Sequence, residues 1–214
     1  DLIVGEAYFH PHGNPLDSNY VVFGKASGFD AVQSLSELDG SNGFRLNGPG
    51  GSISSAGDVN GDGYADVLIG DPLAQTTGPA GASFLVYGKA SGFDAVVDVF
   101  AFNENDGLRL DGVEANDHLG TSVSGAGDVN GDGFDDVIVG DRYGGSFDGT
   151  YSGTSYVVFG RATGFDAHID SSSLDGKNGF RMRGVDSNDD TGGSVSSAGD
   201  INGDGFDDVI VGAD

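Results

Sequence analysis

Apolar residues along this chain come in runs of three or four, each fenced by glycine or by a polar or acidic residue. Asp66-Val67-Leu68-Ile69-Gly70 and Tyr20-Val21-Val22-Phe23-Gly24 are typical. β-branched and aromatic residues dominate the runs, and no stretch keeps a helical period, so the pattern predicts short strands joined by turns. The runs repeat in a fixed order. Asp66 to Gly70 returns as Asp136 to Gly140 and as Asp208 to Gly212. The next run is Tyr20 to Gly24, Phe84 to Gly88 and Tyr156 to Gly160. A connector follows, Ser27 to Ala31, Ser91 to Ala95 and Thr163 to Ala167, then a strand at Gly43 to Leu46, Gly107 to Leu110 and Gly179 to Met182. Last comes a segment alternating Ser with Val or Ile: Gly51 to Ala56, Gly120 to Ala126 and Gly193 to Ala198.

Successive repeats of Asp1, Asp66, Asp136 and Asp208 stand 65, 70 and 72 residues apart. Four short strands per period of that length are the grammar of a propeller blade, too thin to bury its own faces and obliged to stack on neighbours. The expected fold is all-β: tandem four-stranded antiparallel blades with binding hairpin loops, as a partial or open propeller array. The expected divisions are a partial first blade over 1–42, a blade over 43–106 with its loop at 58–66, a blade over 107–178 with its loop at 128–136, and a partial last blade over 179–214 with its loop at 200–208.

The loops carry the chemistry. Gly57-Asp58-Val59-Asn60-Gly61-Asp62-Gly63-Tyr64-Ala65-Asp66 puts oxygen-bearing side chains at the first, third, fifth and ninth positions after the leading glycine. Asp58, Asn60, Asp62 and Asp66 are the expected ligands, with the Tyr64 carbonyl at the seventh position. Asp128, Asn130, Asp132, Phe134 and Asp136 repeat the set, as do Asp200, Asn202, Asp204, Phe206 and Asp208. The start resembles an EF-hand loop, but no Glu stands at the twelfth position, so closure falls to the ninth-position Asp. An all-oxygen set favours calcium over zinc, and magnesium would want fewer protein ligands. The alternative is a metal-free hairpin of Asx-turns. Asp1 matches the ninth position without the rest of its loop. Three complete calcium sites are therefore expected, with a fourth that a preceding segment or a neighbouring chain would complete.

Charge sharpens this picture. The formal net charge is −25, and only four of the 34 acidic residues are Glu. A merely solvated surface would use Glu freely, whereas Asp keeps its carboxylate close to the backbone, as a compact oxygen cage needs. Such a charge repels nucleic acid. Cysteine is absent, which removes disulfides and thiolate chemistry. No run approaches the ~18 apolar residues of a membrane span, so no direct membrane insertion is expected.

The order Gly-x-Ser-Val-Ser-x-Ala-Gly-Asp-Val-Asn-Gly-Asp-Gly-Phe-x-Asp-Val-Ile-Val-Gly, followed by Tyr-Val-Val-Phe-Gly, resembles the FG-GAP repeat of the integrin α-subunit propeller, and bacterial integrin-α-like repeat proteins above all. The Phe-Gly opening is altered to Leu119-Gly120, Gly50-Gly51 and Gly192-Gly193, and Gly-Ala-Pro to Gly70-Asp71-Pro72, Gly140-Asp141-Arg142 and Gly212-Ala213-Asp214. The resemblance implies a calcium-stabilised, non-enzymatic module for adhesion or surface scaffolding, extracellular or at a bacterial cell surface. Its ligand would be a protein or glycan whose identity the loops do not encode. The family closes seven blades, more than this chain holds, so self-association through open blade edges is expected as a possibility. Two rival readings follow: a homopolymeric filament or surface-layer subunit, or an accessory module of a larger secreted enzyme.

Remaining residues add little. His10-Pro11-His12 reads as a solvated loop, and His118 and His168 lack repeat counterparts. Arg45, Arg109 and Arg181 recur at one strand position and are expected either to pair with loop carboxylates of an adjacent blade or to snorkel. Asp170-Ser171-Ser172-Ser173 begins an Asp-x-Ser-x-Ser metal motif, but Leu174 stands at its fifth position.

Overall fold

The computed structural model describes residues 1–5, 18–48, 51–75, 80–114, 117–145, 151–162 and 165–213. His10, Pro11, His12, Gly50, Thr163, Gly164 and Asp214 lie outside the described residues. In chain order the strands are β1 (Leu2–Val4), β2 (Ser18–Val22), β3 (Gly43–Asn47), β4 (Ile53–Gly57), β5 (Asp66–Asp71), β6 (Ala82–Val86), β7 (Val96–Asp98) and β8 (Gly107–Asp111). They continue as β9 (Leu119–Gly127), β10 (Asp136–Asp141), β11 (Thr154–Val158), β12 (His168–Asp170), β13 (Gly179–Arg183), β14 (Ser194–Gly199) and β15 (Asp208–Gly212). The described helical residues are three single 3₁₀ turns, Leu35–Glu37, Val99–Ala101 and Ser171–Ser173.

The strands form tandem antiparallel blades. The second blade is β4-β5-β6-β8 and the third is β9-β10-β11-β13. The first shows β1-β2-β3, and the fourth shows β14-β15. The divisions at 43, 107 and 179 set Gly43–Asn47, Gly107–Asp111 and Gly179–Arg183 at the head of a blade. Their hydrogen bonds run the other way: β3 pairs with β2, β8 with β6 and β13 with β11. Each is the outer strand of the blade before it. A further strand joins from the following repeat: β7 pairs parallel with β3, and β12 parallel with β8. The outer edges of the first two blades are thereby covered, which removes a row of free backbone groups.

The cores lie between sheets. Side chains alternate across a strand, so neighbours in sequence serve different interfaces. Ile69 faces the first blade, packing in a cluster with Val21, Phe44, Leu46 and Phe84. Leu68 faces the third, with Leu85, Leu108, Val123, Val137 and Val139. Ile138 and Val157 face the fourth, against Val195, Val209 and Val211. Each buried Leu, Ile or Phe contributes about 1.5–3 kcal/mol.

Close backbone contacts fix the spacing. A methyl group on Gly140 would sit 2.0 Å from the Gly192 carbonyl oxygen, and one on Gly70 would sit 2.1 Å from that of Gly120. Gly120 and Gly192 share φ near +90° and the same neighbour relation. The counterpart of Leu119-Gly120 is therefore Thr191-Gly192, one residue earlier than the expected Gly192-Gly193. Arg109 also differs from the first expectation. Its Nε and Nη2 donate to both oxygens of Asp111, at 2.5 and 2.8 Å, two residues along its own strand.

The Gly140 contact predicts a sensitive position. Gly140→Ala should lose about 1–3 kcal/mol, read as a lower urea midpoint. An unchanged midpoint would show that the third and fourth blades are free to move apart.

Candidate metal centre

Each loop joins two antiparallel strands of one blade, β4 to β5, β9 to β10 and β14 to β15. The chain reverses there because Gly63, Gly133 and Gly205 take φ near +90°, where a side chain is strained. The turn then gathers oxygens around its own amides. Asp58 accepts from the Asp62 amide at 3.0 Å and the Gly63 amide at 2.8 Å. Asn60 Oδ1 accepts from the Asp62 amide at 2.9 Å, and Asp62 Oδ1 from the Tyr64 amide at 2.9 Å. Asp128, Asn130 and Asp132 repeat this ring. Asp200, Asn202 and Asp204 repeat it again. The seventh-position residues Tyr64, Phe134 and Phe206, expected to offer carbonyls, belong to the same turns.

The ninth-position aspartate ties the turn to the sheet. Asp66 Oδ2 accepts from the Val59 amide at 2.9 Å and Oδ1 from the Gly88 amide at 2.8 Å. Asp136 bonds in the same way to Val129 and Gly160, at 2.9 and 2.8 Å. Asp208 Oδ2 accepts from Ile201 at 2.8 Å. Asp1 holds the corresponding place in the first blade, accepting from the Gly24 amide at 2.6 Å.

Among the described residues, no three Asp, Glu or His side chains close into a metal cluster unaided. The donor chemistry still fits a hard cation. Each loop offers carboxylate and amide side-chain oxygens only, most of them oriented by backbone amides, although Asp128 Oδ1 and Asp200 Oδ1 already accept two amides each. Electrostatics points the same way. Burial pushes the Asp66 carboxyl up to about 7; the Gly88 and Val59 amides pull it back, and the charges of Asp62 and Asp58 add to the rise. Burial likewise pushes Asp136 up to about 6, with Asp132 and Asp128 adding to it. At the exposed first position of the third loop, hydrogen bonds led by the Gly205 amide hold Asp200 below its ordinary range.

The eighth loop position carries a role the ligand pattern conceals. Asp135 Oδ2 accepts from the Asp58 amide of the preceding blade at 2.7 Å, and its own amide donates to the Asp58 carbonyl at 3.3 Å. The Phe134 ring covers Gly61, where a methyl group would meet Phe134 Cε1 at 2.3 Å. Asp207 grips Asp128 in the same way, at 2.9 and 3.1 Å, with Phe206 over Gly131. The loops are thus clasped one to the next. The available signal was Asp at the eighth position of two loops against Ala65 in the other.

Similarity to known proteins covers 73 to 77% of the chain in its integrin and phospholipase relatives. Residues 50–86, 119–158 and 191–214 match the FG-GAP repeat. The chain is 29% identical over 163 residues to integrin alpha-4 of Xenopus laevis, across 76% of this chain and 14% of that protein. It is 31% identical over 163 residues to integrin alpha-V of Gallus gallus, across 73% and 14%. It is also 31% identical over 166 residues to phosphatidylinositol-glycan-specific phospholipase D of Bos taurus, across 77% and 18%. The chain therefore spans less than a fifth of the length of these relatives.

Two outcomes follow from the geometry. Asp135→Ala should lose about 1–2 kcal/mol in urea unfolding, because the charged clasp on Asp58 goes. The raised carboxyls also set a pH dependence in chelator. Asp66 and Asp136 hold protons in the fold at a pH where the unfolded chain has released them, so their contribution is present at low pH. It is lost as pH rises through about 6 to 7. The metal-free melting temperature should fall between pH 5 and pH 8, and a rise over that window would contradict the burial of these carboxyls as charged-site hosts.

Proposed function

The chain belongs to the FG-GAP, integrin-α-like repeat family, and on that premise we propose that it is a calcium-stabilised propeller segment serving adhesion or surface scaffolding outside the cell. The observation that carries the reading is the threefold recurrence of one amide-organised oxygen ring, each joined to the next through the eighth-position clasp. Asp58, Asn60, Asp62, Asp66 and the Tyr64 carbonyl would hold one ion, with the sets at Asp128–Asp136 and Asp200–Asp208 holding two more. Asp1 would serve as the closing oxygen of a further loop. The ion supplies positive charge where loop carboxylates crowd, and it does so next to the contacts that couple blades. Calcium at the millimolar level outside cells suits loops of this kind, with dissociation constants on the order of 10⁻⁴–10⁻³ M.

The integrin relatives favour a binding rather than a catalytic role, and the ligand would be a protein or glycan. Among the described residues no helix is long and apolar enough to cross a membrane. A second reading rests on the phospholipase relative: the chain as an accessory module of a larger secreted enzyme.

Thermal unfolding with and without calcium tests the central claim. Millimolar calcium should raise the melting temperature by many degrees, and a chelator should reverse the gain. Coincident curves would overturn the calcium reading.

A further inference from the structure

The third blade carries a second set of oxygens at the end of β10 remote from its hairpin loop. Asp141 closes β10 and lies opposite Leu119 and Thr154 in the sheet. Asp117 stands just before His118, whose amide donates to Asp141 Oδ1 at 2.9 Å. Asp117 Oδ2 accepts from the Glu114 amide at 3.1 Å. Each carboxylate thus spends one oxygen on a turn. The others, Asp117 Oδ1 and Asp141 Oδ2, are buried without a hydrogen-bond partner among the described residues, and so is Thr154 Oγ1, while the buried Ser171 hydroxyl has the Tyr156 hydroxyl as its hydrogen-bond partner. Asp117, Asp141, Thr154 and Ser171 are exposed by only 2, 0, 1 and 1%.

These groups share one neighbourhood. Burial drives Asp141 up to about 8, and the charge of Asp117 is the next cause. The Tyr156 hydroxyl lies against Ser171 and is raised first by burial and then by both acids; Arg181 acts on it more weakly. Gly144 lets the Asp141 carboxylate pack against its backbone, since a methyl group there would meet Oδ2 at 2.6 Å and Thr154 Cβ at 3.2 Å. Arg142 is turned to Asp190 at 2.6 Å. Burial holds the His118 imidazole below its ordinary pKa, which favours its neutral form.

The second blade provides an internal control. Strand registers align Ala82 with Thr154 and Phe84 with Tyr156, and the 3₁₀ turns align Val99 with Ser171. Ala74 takes the place of Gly144. Ala74, Ala82, Phe84 and Val99 all belong to the apolar core between the first two blades. Asp71, the counterpart of Asp141, accepts from the Leu73 amide at 3.0 Å. Capping a turn therefore explains one aspartate, but not the replacement of its apolar surroundings by a glycine, two hydroxyls and a phenol. Nor does it explain a second carboxylate. Two unpaired buried carboxylates are costly unless something positive joins them.

We propose that Asp117, Asp141, Thr154, Tyr156 and Ser171 form a site for one hard divalent cation of the calcium type, separate from the hairpin loops. Two carboxylates balance its charge, and neutral hydroxyl oxygens complete a donor set without nitrogen or sulfur. The site joins the third blade to Ser171, which follows the β12 strand on the edge of the second blade, so an ion there would bear on the contact between those two blades.

Calcium stoichiometry on the whole chain, by equilibrium dialysis with circular dichroism to confirm folding, tests this. The paired variant Asp117→Asn with Asp141→Asn should bind one ion fewer per chain. Thr154→Ala with Ser171→Val installs the second blade's own residues and should weaken that ion at least tenfold while keeping both charges; it decides the matter if the first pair fails to fold. Tyr156→Phe should also reduce terbium luminescence excited through tyrosine. Folded variants with unchanged stoichiometry and affinity would overturn the site and leave the acids sharing a proton. If Asp128→Asn with Asp132→Asn leaves calcium uptake intact while the Asp117–Asp141 pair abolishes it, the loop reading fails and this one stands.

Discussion

A sheet of four short strands has two faces and cannot bury either by itself. Everything else in this chain follows from that constraint. Leu68 and Ile69 are adjacent in sequence and both almost wholly buried, yet they belong to different cores. All six residues of β10 are buried. The fold is accordingly a stack of interfaces. Its stability depends on holding neighbouring sheets at one distance, close enough for carbonyl oxygens to rest against Gly70 and Gly140.

The clasped loops act on that same distance. Phe134 and Asp135 are presented by one blade and received by the turn of the blade before it, and Phe206 and Asp207 repeat the arrangement. The receiving amide is that of the first expected ligand, Asp58 or Asp128. Any change in the conformation of a loop is therefore felt at an inter-blade contact. This gives the loops a mechanical meaning that their donor count alone does not express.

Much of this was legible in the sequence. The loop register located β5, β10 and β15, and the alternating segments located β4, β9 and β14. The division into blades was not legible, because a cyclic repeat reads the same wherever it is cut. Only long-range hydrogen bonds decide that Gly43–Asn47 joins Ser18–Val22 rather than Ile53–Gly57. The parallel strands Val96–Asp98 and His168–Asp170 escaped for a related reason: three residues are too few for an alternation to show. Asp135 and Asp207 were hidden among ligands of the same residue type. The recurrence of Arg109 left inter-blade pairing and snorkelling open, and its partner Asp111, two residues along the same strand, is neither.

The two ends of the blades show how a repeat divides its labour. At the loop end the residues are nearly invariant among the three copies, because each loop must receive the next one. At the other end the second and third blades diverge at four positions, from Ala74, Ala82, Phe84 and Val99 to Gly144, Thr154, Tyr156 and Ser171. The strands between them keep the same register and the same alternation. Ala74, Ala82, Phe84 and Val99 are members of the apolar core between the first two blades, so in the third blade the polar groups replace core side chains. A propeller repeat can thus hold its architecture through one end of each blade and vary its chemistry at the other. The aspartate shared by both blades marks where that variation starts: Asp71 and Asp141 each begin the same turn, and the residues around Asp141 change from hydrocarbon to oxygen.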